Sequence, residues 1–286
     1  METDFRSRIS AHVASLPASS STLQKLYTSP YVLLIQALKQ GYAKISEIEA
    51  DIIPAKIFSS METSAGRMIE AVALPVYGWE CVASQMHTAN SALDGLRLGD
   101  GVVEVATLKS GPRCLNDEMA ENFADAILEN VQSWAADAGV DRVEFTYGVL
   151  YGTQKQSNKK DWHILRNLDT KVPARGGTVV EAPTHRWDCS FELDGVTAEV
   201  SIRIGGDWWS HLGGDDCALE LWTALIRACV QAGMEDPGGH PYEISDLGEI
   251  TSLDPVPQDF NVALLQRSQL PWLFFVARHF CDRLVD

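Results

Sequence analysis

Long apolar runs are missing from this chain of 286 residues. The longest, Tyr31–Ile35 and Leu270–Ala277, have the length of core segments and fall well short of the ~20 residues that a membrane-spanning helix needs. Met1–Arg6 lacks a basic segment followed by an apolar one, so we expect no secretory signal. These absences predict a cytoplasmic protein with no membrane partner.

Metal-ligand and redox spacings are also missing among the cysteines and histidines. The six cysteines are scattered, as are the seven histidines, and they show no zinc-ligand or redox-motif spacing. No phosphate-binding loop, dinucleotide fingerprint or nucleophile elbow is present either. The sequence therefore argues against these nucleotide-binding and hydrolase classes, and we interpret the cysteines as reduced thiols.

A surplus of positive charge is lacking too, because the formal net charge is −16. Such a charge argues against nucleic-acid binding, since phosphate contacts need cations. Binding depends on one face, however, and residues 155–175 contain six Lys or Arg against two Asp, a local balance of +4. This basic segment is either a DNA-contacting surface or a solvated loop, and the sequence leaves both interpretations open.

Helical and strand patterns alternate through the middle of the chain. Glu118–Ala138 has an apolar stripe at helical spacing, and Val143–Tyr151 has the near-alternating pattern of a strand. A second hairpin is predicted over 187–204, about Asp194-Gly195. Since a helix between two strands indicates a crossover, we predict an α/β fold with a mixed central sheet flanked by helices.

Three regions are predicted along the chain. Residues 1–60 form a helical N-terminal region, residues 61–235 form the core, and residues 236–286 form an acidic loop and a C-terminal helix that packs on the core. Separate helices are expected over 46–52 and 63–74, and the second ends just before Pro75.

The most informative stretch runs from Leu93 to Gly111. It contains two short apolar strands joined by Gly99-Asp100-Gly101, which is a strong hairpin signal. Folding the hairpin back brings Asp94 near Ala106–Lys109, at the end of the second strand. A carboxylate beside a lysine suits metal-dependent hydrolysis of phosphodiesters, because the carboxylate holds a hard cation and the lysine polarises the attacking water or the phosphate.

The second acid of such a site is left open by the sequence. Many metal-dependent nucleases carry an acid two residues before the lysine, and here that position holds Thr107. Strand alternation puts Thr107 and Lys109 on one face and Glu104 on the other, unless a bulge intervenes. The other candidates lie on neighbouring helices or on the backbone, namely Glu70, Glu118, Glu121 and the carbonyl of Leu108.

Four short blocks, in order over roughly residues 25–235, resemble type II restriction endonucleases of the PD-(D/E)xK superfamily. The likeness is to enzymes that cut interrupted palindromes of the purine-GGNCC-pyrimidine kind. The blocks are Glu62–Glu70, Asp94 with Glu104–Gly111, Tyr147–Gly152 with Trp162–Arg166, and Gly205–Leu212.

The resemblance implies residue roles, a fold and an assembly. Asp94 matches the metal-binding aspartate and Lys109 the catalytic lysine. Glu70 matches an acid on a helix beside the site, and Glu104 matches an acid five residues before the lysine. The implied Mg²⁺ ligands are Asp94, Glu104, Glu70 and the backbone of Leu108. Residues 61–235 would form the endonuclease core, and the protein would be a homodimer, because a two-fold protein matches a two-fold DNA site.

We therefore predict a sequence-specific, Mg²⁺-dependent endonuclease that cleaves double-stranded DNA and leaves 5′-phosphate ends. DNA contacts are predicted for polar and basic residues just after the lysine and in the basic segment: Ser110, Arg113, Lys155, Lys159, Lys160, His163 and Arg166. Two alternatives stay open. One is a structure-specific repair nuclease of the same superfamily, and the other is a catalytically inactive DNA-binding protein in which Thr107 marks a dead site.

Overall fold

The computed structural model describes residues 1–15, 30–42, 44–82 and 93–235, together with Leu270 and Leu273. Within these residues seven strands form one sheet. The strands are β1 (Glu80–Cys81), β2 (Gly95–Gly99), β3 (Val102–Lys109), β4 (Arg142–Val149), β5 (Thr178–Glu181), β6 (Asp188–Leu193) and β7 (Val196–Ile204). The helices are α1 (Glu2–Ser15), α2 (Pro30–Gln40), α3 (Ile45–Val76), α4 (Asp117–Ala138), α5 (Lys160–Ala174), α6 (Gly206–Gly213) and α7 (Cys217–Glu235).

The sheet is open and mixed, with the strand order β1-β2-β3-β4-β7-β6-β5. β3 runs parallel to β4, and β4 runs parallel to β7, whereas the other four neighbouring pairs are antiparallel. α4 makes the crossover between β3 and β4, as a helix between two strands predicts. The predicted α/β architecture, a mixed sheet flanked by helices, is therefore confirmed.

The local sequence specifies both ends of α4. The Asn116 side chain accepts a hydrogen bond of 2.8 Å from the Met119 N–H, which caps the first turn. Gly139 ends the helix in the left-handed conformation, at φ 69°. Its apolar side packs on the sheet, where the rings of Trp134 and Phe145 stack with centroids 5.9 Å apart. The helix predicted over Glu118–Ala138 is thus confirmed.

Two apolar cores lie on opposite faces of the sheet. One lies beneath α4 and α5 and takes alternate residues of the central strands, such as Val105 and Phe145. The other lies among α1, α3, α6 and α7 and takes Ala106 and Leu108 of β3 together with three tryptophans, Trp79, Trp208 and Trp209. The division follows strand alternation, because successive side chains of β3 point to opposite faces. These two faces decide which polar side chains of β3 can meet.

One helix differs from the sequence prediction near two prolines. The short helices expected over 46–52 and 63–74 are parts of a single helix, α3, with Pro54 in its interior and Pro75 in its last turn. A proline inside a helix removes one backbone hydrogen bond. Burial of residues on both sides of Pro54, including Ile52 and Val72, outweighs that local cost. The predicted break is therefore wrong, and α3 delivers residues from both of its halves to the core.

The N-terminal helices pack onto the rest of the chain. α1 contacts α3 and α7, and its Phe5 side chain is fully buried. The acidic loop and C-terminal helix predicted over 236–286 lie outside the described residues, except that Leu270 and Leu273 are helical and buried. No helix in the described ranges combines the length and the apolarity needed to cross a membrane.

Gly148 of β4 provides a test of the packing around the tryptophans. A Cβ at this position would lie 2.6 Å from Leu108 Cδ2 and 2.8 Å from the ring of Trp208, and both side chains are buried. We expect Gly148→Ala to lower the free energy of unfolding by about 1–3 kcal/mol, because the rigid neighbours must shift. Urea unfolding followed by circular dichroism measures this change.

Gly66→Ala in α3 is the matched control. Its Cβ would lie 3.4 Å from Ser110 Cβ, which is an ordinary contact. Because alanine favours a helix over glycine by about 1 kcal/mol, this variant should be neutral or stabilising. Unchanged stability of Gly148→Ala would contradict the packing described for Trp208.

Candidate active site

The hairpin of β2 and β3 supports the candidate site. The two strands pair in continuous register from Gly95, opposite Ala106, up to the turn at Asp100-Gly101. Gly101 has φ 76°, the left-handed conformation that favours two-residue hairpin turns. Extending the register by one residue sets Asp94 opposite Thr107. The predicted hairpin is confirmed, and its register decides what Asp94 meets.

Asp94 is bound to β3 by three hydrogen bonds. Its N–H donates to the Ala106 carbonyl at 2.8 Å. Its carboxylate Oδ2 accepts from the Leu108 N–H at 2.7 Å and from the Thr107 hydroxyl at 3.2 Å. Thr107 is only 2% exposed. At the position where an acid was expected, Thr107 therefore orients Asp94 instead of supplying a carboxylate of its own.

Lys109 lies at the end of β3, on the same face as Thr107 and Asp94. Directly opposed residues of an antiparallel pair share a face, and strand alternation returns to that face two residues later. The Nζ of Lys109 lies 5.5 Å from the centroid of the Phe123 ring in α4. The structure thus brings Asp94 and Lys109 to one face at one edge of the sheet.

α3 approaches this edge closely enough to contribute a side chain. A Cβ at Gly66 would lie 3.4 Å from the Cβ of Ser110, the residue that follows Lys109. Glu70 comes one helical turn after Gly66. Glu70 and Ser110 therefore belong to the surroundings of Lys109, although they come from different elements.

The pKa of Glu70 reports these surroundings. It is raised to about 7, first by burial and second by the negative charge of Asp94, while Lys109 and Arg67 act in the opposite direction. Two carboxyl groups that repel each other at a partly buried position are stabilised by a proton or by an added cation. Glu70 is the candidate acid that the structure brings to Asp94 and Lys109.

Glu104 does not join this group. It faces the opposite side of the sheet, where its two oxygens accept hydrogen bonds from Arg97, at 3.0 Å from Nε and 2.7 Å from Nη2. The registers of β2–β3 and β3–β4 are continuous through Glu104, so these ladders contain no bulge that would turn it toward Lys109. The structure therefore corrects the predicted grouping of Glu104 with Asp94 and Lys109.

The oxygen donors that remain at this edge are those of Asp94, Glu70 and Leu108. In a β-strand the N–H and the carbonyl of one residue point to the same side, so the Leu108 carbonyl lies on the side where its N–H donates to Asp94. Glu121, another acid considered, is bound to Lys171 at 3.0 Å. Among the described residues, no three His, Cys, Asp or Glu side chains form a group that could hold a metal ion. Two carboxylates and a carbonyl still suit Mg²⁺, which keeps waters or phosphate oxygens as further ligands.

Residues 160–174 of the basic segment form α5, so the interpretation of the whole segment as a solvated loop is wrong. α5 packs along α4, and its apolar residues at helical spacing are buried: Ile164, Leu165, Leu168 and Val172. The helical spacing of these apolar residues predicts a packed helix, but the sequence analysis considered only the charges of this segment. The cations of this segment consequently lie on a packed helix.

Many of these cations are paired within the protein. Lys160 Nζ lies 2.6 and 2.7 Å from the two oxygens of Asp117, and His163 Nδ1 lies 2.9 Å from the same carboxylate. Lys171 and Arg175 pair with acids further along α4. Lys160 and His163, predicted as DNA contacts, are thus engaged in ion pairs, and the local surplus of positive charge is balanced from another part of the chain.

Three other predicted DNA contacts lie at the edge that carries Lys109. Because β3 and β4 are parallel, the loops that follow them leave the same edge of the sheet. Arg113 belongs to the first loop, Lys155 and Lys159 belong to the second, and all three are exposed. Arg166 is exposed as well, but it lies within α5.

These two loops are bonded to each other. The Arg113 Nε donates to the Gln156 carbonyl at 3.0 Å, and the Asn158 side chain donates to the Leu115 carbonyl at 3.3 Å. A cavity of about 360 Å³ lies between the loops and is lined in part by Arg113 and Tyr151. Sequence reasoning missed Tyr151 as a residue of this edge, although its position directly after β4 was a usable signal.

A second polar concavity, of about 390 Å³, lies on the opposite face of the sheet. Glu104, Glu144 and Glu199 are direct neighbours across β3, β4 and β7. The pKa of Glu144 is raised by burial and by these two flanking carboxylates. Burial and the charge of Arg203 lower the pKa of the nearby His211 to about 4, so this imidazole is neutral at pH 7. The sequence analysis did not identify this row of acids.

Comparison of the sequence with known protein families and with curated proteins found no match. The function therefore has to be inferred from the residues at the sheet edge and from the sequence blocks that contain them.

The raised pKa of Glu70 predicts a pH-dependent loss of stability in the metal-free protein. Between about pH 4.5 and 7 the unfolded chain releases the Glu70 proton while the folded chain keeps it, so the free energy of unfolding falls as pH rises. Glu70→Gln removes this contribution. The free energy of unfolding of the variant, minus that of wild type, should therefore rise as the pH is raised from 4.5 to 8.

Urea unfolding of both proteins in EDTA at pH 4.5 and pH 8 measures this difference in stability. Titratable groups that the two proteins share contribute to both values and cancel in the difference. An equal stability gap at pH 4.5 and pH 8 would show that Glu70 titrates normally.

Proposed function

We propose that the chain is a sequence-specific endonuclease that uses Mg²⁺ to hydrolyse double-stranded DNA. The observation that carries the proposal is the grouping of Asp94, Glu70 and Lys109 at one sheet edge, with the pKa of Glu70 raised to about 7. Strongly perturbed carboxyl groups concentrate at functional sites. The blocks that resemble restriction endonucleases of the PD-(D/E)xK superfamily include these same three residues.

Each residue has a definite task in such a reaction. Asp94 and Glu70, with the Leu108 carbonyl, would hold the cation, and the Thr107 hydroxyl keeps Asp94 in position. Lys109 orients the attacking water and stabilises negative charge on the phosphate. Water adds to phosphorus, the bond from phosphorus to the 3′ oxygen breaks, and the products are a 5′-phosphate and a 3′-hydroxyl. Bound Mg²⁺ supplies Lewis-acid stabilisation of the charge that develops on the phosphate and on the leaving oxygen.

Exposed cations around this edge suit the DNA backbone. Arg113, Lys155 and Lys159 come from two loops that are bonded to each other, and Arg67 is exposed on α3 one turn before Glu70. Contacts of this kind position the duplex, while contacts to base edges specify its sequence. Since the acids of α4 neutralise much of α5, we assign the DNA backbone contacts to the loops.

A supercoiled plasmid incubated with Mg²⁺ separates this proposal from its alternatives. Discrete linear fragments support a sequence-specific endonuclease. Nicking confined to branched or damaged substrates supports a structure-specific repair nuclease instead, and tight binding without cleavage supports an inactive DNA-binding protein.

Substitutions at the sheet edge should separate cleavage from binding. We expect Lys109→Ala, Asp94→Asn and Glu70→Gln each to slow plasmid cleavage by at least about 100-fold, because each removes stabilisation of the transition state. Binding to a cleavable duplex in Ca²⁺ should persist for Lys109→Ala. Gel analysis of the plasmid and fluorescence anisotropy measure the two properties.

Glu104→Gln is the matched control, since Glu104 is an acid of the same hairpin that pairs with Arg97 on the other face. Its cleavage rate should stay near that of wild type. Loss of cleavage in Glu104→Gln with full activity in Glu70→Gln would overturn the assignment of the second acid.

The loop cations should account for much of the salt dependence of DNA binding. We expect Arg113→Ala and the double variant Lys155→Ala/Lys159→Ala to weaken binding and to reduce the slope of log K against log salt by about 1 per cation. Arg166→Ala, which removes an exposed arginine within α5, should leave the slope unchanged. Anisotropy titrations in Ca²⁺ at several salt concentrations measure the slopes, and a large effect of Arg166→Ala alone would move the interface to α5.

A further inference from the structure

One acid inside the protein has no task in the proposed reaction. Asp161, in the first turn of α5, is 0% exposed, and no other acidic side chain among the described residues is buried. Burial raises the pKa of Asp161, and the hydroxyls of Ser157 and Tyr147 act in the opposite direction, whereas no described cation pairs with it. Because a buried carboxyl without a cationic partner is costly, the groups that contact it indicate what it stabilises.

A short relay of hydrogen bonds connects Asp161 to the β4–α5 loop (residues 150–159). The Ser157 hydroxyl donates to Asp161 Oδ2 at 2.8 Å, and the Lys159 N–H donates to the same Ser157 oxygen at 2.9 Å. Lys159 has φ 63°, which is the left-handed conformation that residues with side chains adopt rarely. Since the hydroxyl gives its one proton to Asp161, its lone pairs are left to accept from Lys159. Asp161 thus supports this unusual backbone conformation through Ser157.

The same carboxyl lies close to the strand that neighbours the candidate site. The fully buried Tyr147 hydroxyl of β4 is near enough to lower the pKa of Asp161, although it makes no hydrogen bond of ordinary geometry there. Tyr147 is the register partner of Thr107 in β3. Its ring packs edge-on against Phe123, whose ring lies 5.5 Å from Lys109 Nζ. Asp161 therefore lies where the loop meets the part of the sheet that carries the candidate site.

Further bonds within the loop fix its shape. The Thr153 N–H donates to the Gln156 side chain at 3.1 Å, and the Lys160 N–H donates to the Asn158 side chain at 3.0 Å. The two lysines of the loop itself, at positions 155 and 159, are exposed. The loop thus presents two exposed cations from a hydrogen-bonded backbone. A loop that is ordered before its ligand arrives loses less conformational entropy on binding.

We propose that Asp161 is a positioning residue, which through Ser157 holds the β4–α5 loop in the shape that presents Lys155 and Lys159 to the DNA backbone. The inference rests on the proposed function, since it concerns how that site binds its duplex. In this role Asp161 contacts neither the metal nor the phosphate. The structural alternative is that Asp161 only stabilises the first turn of α5, where a negative charge is favourable.

Removal of the relay should weaken DNA binding without changing the number of cations that contact the duplex. We expect Asp161→Ala and Ser157→Ala each to weaken binding in Ca²⁺ by about 10-fold at every salt concentration, because the loop must then be ordered on binding. The slope of log K against log salt should stay unchanged, since both lysines remain. Asp161→Asn should bind within about 3-fold of wild type, because its amide oxygen still accepts from Ser157. Anisotropy titrations measure affinity and slope.

Val172→Ala is the matched control for a general loss of stability in α5. Val172 is fully buried near the end of the helix that lies away from the loop. Its variant should bind DNA as wild type does. Circular dichroism checks folding, and Ser157→Ala, which removes only a hydroxyl from a partly buried residue, keeps the test decisive if Asp161→Ala does not fold. Wild-type affinity in Ser157→Ala, or an equal loss in Val172→Ala, would overturn the proposal.

Cleavage at saturating enzyme separates positioning from chemistry. The acids and the lysine of the candidate site are unaltered in Asp161→Ala. The cleavage rate of bound duplex should therefore stay within about 3-fold of wild type, while the enzyme concentration needed for half-saturation rises. A fall in rate comparable with that of Lys109→Ala would place Asp161 in the reaction itself and overturn the positioning role.

Hydrogen exchange of the metal-free protein without DNA tests the relay by itself. The Lys159 amide should exchange at least about 10-fold faster in Asp161→Ala and Ser157→Ala than in wild type, because its acceptor is displaced or lost. The Leu150 amide, which donates to the Lys109 carbonyl at 2.9 Å, is the internal reference and should be unchanged. Equal exchange of the Lys159 amide in all three proteins would overturn the proposal. Because this experiment uses neither DNA nor metal, failure of the relay and failure of the proposed nuclease are distinguishable.

Discussion

The parallel pairing of β3 with β4 is the constraint on which the rest of the structure depends. Parallel neighbours cannot be joined by a short turn, so α4 must cross one face of the sheet between them. This crossover buries one apolar face, and it brings the loops after both strands to the edge that carries Lys109. Asp94 reaches the same edge because β2 folds back on β3. The candidate site and its exposed cations thus follow from one topological feature.

α4 also explains how a strongly acidic chain accommodates a basic segment. Its acids recur at intervals of four residues and pair with cations of α5 and with Arg175 just after it: Asp117, Glu121, Asp125 and Glu129. Exposed ion pairs add little stability individually. Together they orient α5 and reduce its field in solvent, whereas Arg113, Lys155 and Lys159 stay exposed in the loops near Lys109. The net charge of the chain therefore says little about where a polyanion would bind.

Local signals were sufficient for the hairpin and for α4. A Gly-Asp-Gly turn and strand alternation predicted which face Thr107 and Lys109 share, and end signals bounded the helix. They were insufficient for α3, because Pro54 is a local stop signal that distant packing overrides. Glu70 could be named only as one candidate among several, since its selection depends on the approach of α3 to the end of β3. Ion pairs between α4 and α5 were hidden because their partners are about 40 to 50 residues apart.

Acids gather on both faces of this sheet, and their partners decide what they can do. On one face Arg97 binds Glu104 at 2.7 Å and Arg142 binds Glu199 at 3.2 Å, so arginines of the sheet compensate much of the row. On the other face Asp94 is held by an N–H and a hydroxyl. Glu70, which α3 brings to the end of β3, forms no ion pair with any described residue. The repulsion between those two carboxyl groups is relieved by a proton or by an added cation. If a divalent ion binds there as proposed, it competes with the Glu70 proton near pH 7, so its affinity should fall as pH drops below that value. Proximity of acids is common to both faces, and Asp94 and Glu70 differ from Glu104 and Glu199 in forming no ion pair within the described part of the chain.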